Sequence, residues 1–287
     1  GKDLPDYRQL SKYEPSVVTR VHAANGALLK EYSVQQRVFV PIDVIPKKII
    51  SAFLSAEDKH FYDHIGVDVQ AITRALITNL KNYGKGKRLV GASTITQQVA
   101  KNFLLSSEVT FERKIKEAIL AIRIERAFSK KEILELYLNE IYLGNRSYGV
   151  SAASVNYFNK SLEELTLEEM ALLAALPKAP SSYNPFTNPE KAIDRRNWVL
   201  QRLSDEKLIS EKRILKEKKS ELILNQKKKI FKKKASFFKE AVRREVIKKY
   251  DERKLYDQGL SIISTLDSNL QIHAEKSFHN GLIYTKI

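Results

Sequence analysis

The sequence predicts a mainly α-helical protein that opens with a small β element and carries a basic connector near its end. Three observations lead there. From Val44 to Leu203 apolar residues recur at three- and four-residue spacing. Asn25-Gly26 separates two β-rich runs near the start, the strongest short hairpin signal. Past Ser204 the composition turns lysine-rich, with 19 Lys+Arg against 10 Asp+Glu over residues 205–257. With 287 residues and 43% hydrophobic content, the chain can bury one sizeable core and carry appendages.

In chain order, VVTRVHAANGALLKEYSVQQRVFV (17–40) supplies the hairpin. Within the helical region, Ser129-Lys130-Lys131-Glu132 and Thr166-Leu167-Glu168-Glu169 are capping boxes that start helices. The glycine-rich YGKGKRLVGAS (83–93) is a loop between two helices. The basic stretch, with Lys227-Lys228-Lys229 and Lys232-Lys233-Lys234, is a solvated, partly helical connector that holds more than half of the +16 net charge. GLSIISTLD (259–267) then alternates as a strand does and LQIHAEKSF starts a helix, the first piece of another domain.

The charge implies an anionic partner: nucleic acid, an acidic membrane surface or a phosphorylated substrate. No recognisable nucleic-acid fold interleaves the lysines, so no specific nucleic acid is expected. Zero cysteines exclude disulfides, thiolate catalysis and Cys-ligated zinc. No apolar run approaches the roughly 18 residues of a membrane span. A chain beginning at Gly1 leaves room for a targeting or anchoring segment ahead of it.

Chemistry concentrates in AEDKHFYDHIG (56–66). His60 and His64, four apart with Glu57 a turn earlier, present a zinc-like spacing, but a third ligand is missing and the order is not that of a metalloprotease helix. Acid–base work suits the segment better. Glu57 follows the apolar run IISAFLSA, and a carboxylate held against apolar surface has a raised pKa, as a general base needs. On these residues alone, Glu57 and Asp58 as the polar end of a helix remains an equal alternative. In GASTITQQVAKNFLL (91–105), Thr94, Gln97, Gln98 and Lys101 form a polar stripe suited to a sugar or a phosphate, with solvent exposure as the alternative. In FERKIKEAILAIRIERAF (111–128), Glu117 heads a stripe with Leu120, Ala121 and Ile124 and points toward the core, with Arg113 and Lys114 one turn back. It is either half of an internal ion pair or a second catalytic carboxylate flanked by phosphate-holding cations.

Taken together, AEDKHFYDHIG, GASTITQQVAKN, RKIKE, ILELYLNEIYLG and MALLAALPKAPSSYNP resemble, in order and spacing, the five motif blocks of the peptidoglycan glycosyltransferase domain of bifunctional class A penicillin-binding proteins. The flanks resemble Gram-negative 1A-type members: VVTRVHAANGALLKEY the β segment before that domain, GLSIISTLDSNLQ the entry to the transpeptidase domain. The resemblance implies a lysozyme-like, two-lobed helical fold over residues 41–205, after an N-terminal β segment (1–40) and before a basic linker (206–258) and the start of a truncated transpeptidase domain (259–287). The implied activity is polymerisation of lipid II, with a lipid-linked growing glycan as donor, inversion to a β-1,4 linkage and release of undecaprenyl pyrophosphate. It also implies the periplasmic side of the inner membrane, a membrane-surface contact, and cell wall synthesis proteins as partners.

By the family pattern Glu57 is the base and Glu117 assists on the pyrophosphate side, directly or through a divalent cation, Mg²⁺ or Mn²⁺. Asp58, Phe61 and His64 are expected substrate-binding residues of the first motif, Phe61, His64 and Gly66 matching its supporting positions, while His60 occupies a variable position. Thr94, Gln97, Gln98, Lys101 and Asn102 are substrate contacts of the second motif, and Arg113 and Lys114 join Lys101 in neutralising developing charge. The segment around Phe103, Leu104, Leu105 and Phe111 is the expected site of shallow membrane insertion. Only chance-grade S-x-x-K matches occur, at Ser204–Lys207 and Ser236–Lys239, so these residues are not expected to bind penicillin covalently. A lytic lysozyme-like enzyme would also use a buried glutamate, but needs the cation set less. A basic nucleic-acid module would explain the charge alone.

Overall fold

The computed structural model describes residues 4–12, 19–32, 39–84, 91–105, 110–225, 235–257 and 260–284. They fall into two compact units, one within Gly1–Glu14 and Phe39–Asn225, the other within Pro15–Val38 and Gln226–Ile287.

The larger unit is helical, as its 3.6-residue periodicity requires. Its elements are α1 (Lys47–Glu57), α2 (Val69–Lys81), α3 (Ile95–Leu104), α4 (Phe111–Ala127), α5 (Lys130–Glu140), α6 (Val150–Phe158), α7 (Leu167–Ala175), α8 (Pro189–Asp205) and α9 (Glu211–Lys218). The most central helix is α7, whose MALLAA run is buried on all sides and packs against α1 and α8. Around it Phe53, Ile95, Leu120, Ile124, Ile133, Leu138 and Val199 are inaccessible to solvent and form one continuous core. Both expected capping boxes are present: Ser129 N donates to Glu132 Oε2 at 2.7 Å and Thr166 N to Glu169 Oε2 at 2.9 Å. Each satisfies an amide that the helix itself leaves without a partner.

The smaller unit is built on the hairpin. Strands β1 (Thr19–His22) and β2 (Leu28–Tyr32) pair antiparallel around Asn25-Gly26, where Gly26 adopts φ +80° and Asn25 Oδ1 accepts from Ala27 N at 3.1 Å. The alternating 259–267 segment supplies β3 (Ser261–Ile263), parallel to β1, giving the order β2-β1-β3. Helices α10 (Ser236–Tyr250), α11 (Glu252–Asp257) and α12 (Ser268–Tyr284) complete the unit, and Val246 and Leu255 join Val21, Leu29 and Tyr32 in its core.

The stretch expected as a solvated connector over 206–258 is therefore corrected in its described parts. Helix α9 buries Ile214 in the core of the larger unit, and α10 and α11 belong to the smaller one. Net charge reports the exposed faces, whereas a few apolar positions decide what folds. The two lysine runs and residues 85–90 of the glycine-rich loop lie outside the described residues.

Candidate active site

Glu57 is the last residue of α1, one turn beyond the fully buried Phe53, and this places its half-buried carboxylate at the edge of the core. Gln98 Nε2, from α3, donates to Glu57 Oε2 at 2.8 Å. Burial pushes the Glu57 carboxyl above the usual carboxylate range; the Gln98 hydrogen bond and the charges of Arg195 and Lys178 oppose this, and Asp58 adds to it. A carboxylate so held takes up a proton more readily than a free one, as a general base needs.

Asp58 is buried, and its carboxylate is committed to α3 and His64. Its Oδ2 accepts the Ile95 amide at 2.8 Å, at the start of α3, where a helix N-terminus favours an anion. His64 Nε2 lies 3.0 Å from the same oxygen, and His64 Nδ1 accepts from Gly66 N at 3.0 Å, which leaves the ring proton on Nε2. His60 pairs instead with Asp63, at 3.2 Å. The two histidines are thus drawn to different carboxylates, and the zinc-like spacing converges on nothing. Phe61 is fully buried, edge-on to Tyr62 and His64. Gly66 has φ +98°, and a Cβ there would stand 2.6 Å from the Ala121 carbonyl oxygen, so the loop can lie against α4 only with glycine at this point.

The polar stripe of α3 divides. Gln98 reaches Glu57, and Lys101 and Asn102 are exposed. Gln97 is corrected from ligand-facing to capping residue, being only 3% exposed, whereas Thr94, 2% exposed, both caps the helix and borders the cavity of Glu57. Gln97 N donates to Thr94 Oγ1 at 3.1 Å, Thr94 N to Gln97 Oε1 at 2.9 Å, and Thr94 Oγ1 to Gly66 O at 2.6 Å. The Thr-x-x-Gln spacing is itself a capping-box signature, and the orphan amides of the first turn claim these side chains.

Glu117 is buried, as its stripe predicts, and its carboxylate is paired with the Lys114 ammonium. Lys114 Nζ also donates to Ser93 Oγ at 2.7 Å. Arg113 is half-buried, and its Nε has no hydrogen-bond partner among the described residues. Ser93 lines, with Glu57, Asp58, Thr94, Trp198 and Arg202, a cavity of about 190 Å³. The base and the rim to which Lys114 is tied therefore share one space.

Four residues near Glu57 escape the sequence patterns: Trp198 and Arg202, which line the cavity, and Lys178 and Arg195, whose charges act on the Glu57 carboxyl. Lys178 sits inside the fifth motif block without being singled out. The signal for Arg195 was available. On α8, Ala192, Arg195, Arg196, Val199, Leu200 and Leu203 form the buried stripe, so two arginines stand where the period calls for apolar residues. Arg196 is used structurally, donating to the Ser220 and Lys218 carbonyls at 3.0 Å. Arg195 lies with its guanidinium 3.7 Å from the centre of the Trp198 ring, and its Nε finds no hydrogen-bond partner among the described residues.

A family model described as transglycosylase matches residues 25–204. Penicillin-binding protein 1A of Rickettsia felis is 48% identical over 283 residues, covering 98% of this chain and 36% of that protein. That of Aquifex aeolicus is 46% identical over 281 residues, with 98% and 38% covered. The crystal structure of penicillin-binding protein 1A from Haemophilus influenzae matches with a TM-score of 0.57 at 30% identity, over 92% of this chain and 29% of that one. The chain thus spans about a third of the length of the curated relatives it matches.

Proposed function

The chain belongs to the transglycosylase family, and from that membership and the geometry around Glu57 we propose that it polymerises lipid II as a peptidoglycan glycosyltransferase. The observation that carries the proposal is the raised, half-buried Glu57 carboxylate in a cavity whose rim is tied to Lys114 and Glu117. An inverting transfer is a single displacement: one carboxylate takes the proton of the attacking 4-hydroxyl while the opposite side handles the leaving pyrophosphate.

Glu57 is the base. Gln98 holds its Oε2, which leaves the other carboxylate oxygen to meet the hydroxyl. Asp58 and His64 fix the start of α3, and with it Gln98. On the leaving-group side, Lys114, Arg113 and Lys101 neutralise developing charge. Glu117 orients the Lys114 ammonium, because its carboxylate is already engaged by that cation.

Glu117 would supply one carboxylate toward the expected Mg²⁺ or Mn²⁺, with oxygens of the substrate pyrophosphate completing the ligand set. Glu117 is a single carboxylate bound to an ammonium, and no group of three or more His, Asp or Glu that could hold a metal gathers among the described residues. No step is assigned to a metal.

The lipid tail of the substrate places the cleft at a membrane surface, on the periplasmic side of the inner membrane. No described helix is long and apolar enough to cross a membrane. Within the expected insertion segment, Phe103, Leu104 and Leu105 pack partly against the core and Phe111 is 81% exposed, while residues 106–109 lie outside the described residues. The larger apolar surface is on α2, where Val69, Ile72, Leu76 and Leu80 form one exposed stripe while Ala75 alone is buried. Basic Arg74 and Lys81 accompany it without an acidic residue on the helix, the composition of an interfacial helix.

Incubation of the purified protein with lipid II tests the function. Glycan ladders are expected; cleavage of preformed glycan without polymerisation would overturn it in favour of a lytic enzyme.

A further inference from the structure

The segment from Asp58 to Gly66 follows the base directly, and regular helix hydrogen bonding ends at its start. Its shape is therefore set by side chains packed behind it, and the most heavily bonded of these lie outside the first three motif blocks. Glu125, near the end of α4, accepts from Thr96 Oγ1 at 2.6 Å and from Lys130 Nζ at 2.7 Å, both at Oε1. The same oxygen lies 3.9 Å from His64 Nδ1. Lys130, at the start of α5, donates to the His64 carbonyl at 2.7 Å and stands 4.5 Å over the Phe61 ring. The side chain of Glu125 is only 7% exposed, so its charge is held mainly by these partners.

A continuous path results. Glu125 holds Lys130, which clamps the His64 carbonyl; His64 Nε2 reaches Asp58; Asp58 caps the start of α3; Gln98 of α3 donates to Glu57. Thr96, on the first turn of α3, ties that helix to Glu125 a second time. Each link joins a different element, α4 to α5, α5 to the loop, the loop to α3, and α3 to the end of α1. A fully satisfied buried network of this kind specifies one arrangement, and breaking one member leaves another without its partner.

We propose that Glu125 and Lys130 are positioning residues for the transfer reaction: acting through His64, Asp58 and Gln98, they hold the Glu57 carboxylate in line with the attacking hydroxyl. Neither lines the cavity that contains Glu57. Their removal should therefore change turnover and leave substrate capture largely intact, since a small displacement of a reacting group costs rate far more than affinity. The proposal rests on the assignment of Glu57 as the base.

The test is steady-state polymerisation of lipid II by wild type, Glu57→Gln, Glu125→Gln, Lys130→Met, Lys130→Arg and the double variant Glu125→Gln/Lys130→Met. Each is checked for folding by circular dichroism and thermal melting. Glu125→Gln and Lys130→Met should each lower kcat on the order of 10- to 100-fold with little change in KM. The double variant should lose no more than about the worse single one, because one unit is being broken. Lys130→Arg should restore much of the rate. Wild-type kcat in folded Glu125→Gln and Lys130→Met, with Glu57→Gln inactive, would overturn the positioning role and leave the base intact. Lowered melting temperature with unchanged kcat would do the same, reducing the pair to a structural one. Turnover by Glu57→Gln would instead remove the base assignment itself.

Discussion

At the scale of single residues, the decisive property is the proton affinity of Glu57. Replacing it by Gln removes the acceptor with almost no change in volume, so a loss of about 10²–10⁴-fold in turnover is expected while the fold persists. Stability should move the other way. Burial raises the folded-state pKa of Glu57 above its unfolded value, so its contribution to stability is fully present below the unfolded pKa, about 4.3 for Glu, and is lost as pH rises through the folded value. At neutral pH the Gln variant should therefore melt higher than wild type, and the difference should vanish in acid. Thermal melts across pH check this; equal melting at every pH would contradict it. Gln98 makes the complementary case. Its amide favours the anion, so Gln98→Leu should raise the Glu57 pKa further and shift the acidic limb of the kcat profile to higher pH. A pH–rate profile in which that limb stays in place would show that Gln98 does not act on the base.

At the scale of elements, α3 separates two meanings of one pattern. Thr94 was expected to meet substrate, yet its hydroxyl caps the helix and holds the Gly66 carbonyl. Thr94→Ser keeps both bonds and should behave as wild type. Thr94→Ala should cost about 0.5–2 kcal/mol of stability, the usual worth of an N-cap. Denaturant unfolding measures this, and an unchanged midpoint for Thr94→Ala would return the residue to the ligand side. The case also indicates why the elements themselves were legible. Ser129-x-x-Glu132, Asn25-Gly26 and the apolar spacing of α4 and α8 are local signals, each read from a few neighbouring residues. What was not legible depends on distant partners. Nothing near Ser261 announces that β3 joins β1 in parallel, and nothing near Ile214 announces that a lysine-rich helix docks on the main core. The same holds in the site. Apolar neighbours in sequence make Glu57 and Glu117 candidates and the family resemblance implies their roles, whereas Arg195 and Lys178 act on Glu57 from elements far along the chain.

At the scale of the whole molecule, the proposed membrane contact raises the question of which surface would meet the bilayer, and charge and apolar exposure give different answers. More than half of the net charge of +16 lies in 205–257, so an electrostatic model puts the contact there. Exposure points to α2, where Leu76 is 59% and Leu80 67% accessible on a helix with no acidic residue. Contiguous apolar surface of this kind is uncommon on a protein that meets only water. Electrostatic attraction falls steeply with ionic strength, whereas burial of apolar side chains among acyl chains does not. Leu76→Ser/Leu80→Ser should therefore abolish most co-sedimentation with liposomes containing anionic lipid at high salt. Neutralising the lysine runs at 227–229 and 232–234 should reduce only the salt-sensitive part. Because α2 borders the cavity around Glu57 through Ala71 and Arg74 and not through Leu76 or Leu80, the double Ser variant should still turn over lipid II presented in detergent micelles, with the loss confined to bilayer-embedded substrate. Retained liposome binding at high salt by Leu76→Ser/Leu80→Ser would move the contact off α2. Equal loss of turnover in micelles and bilayers would mean that the helix serves the active site and not the membrane.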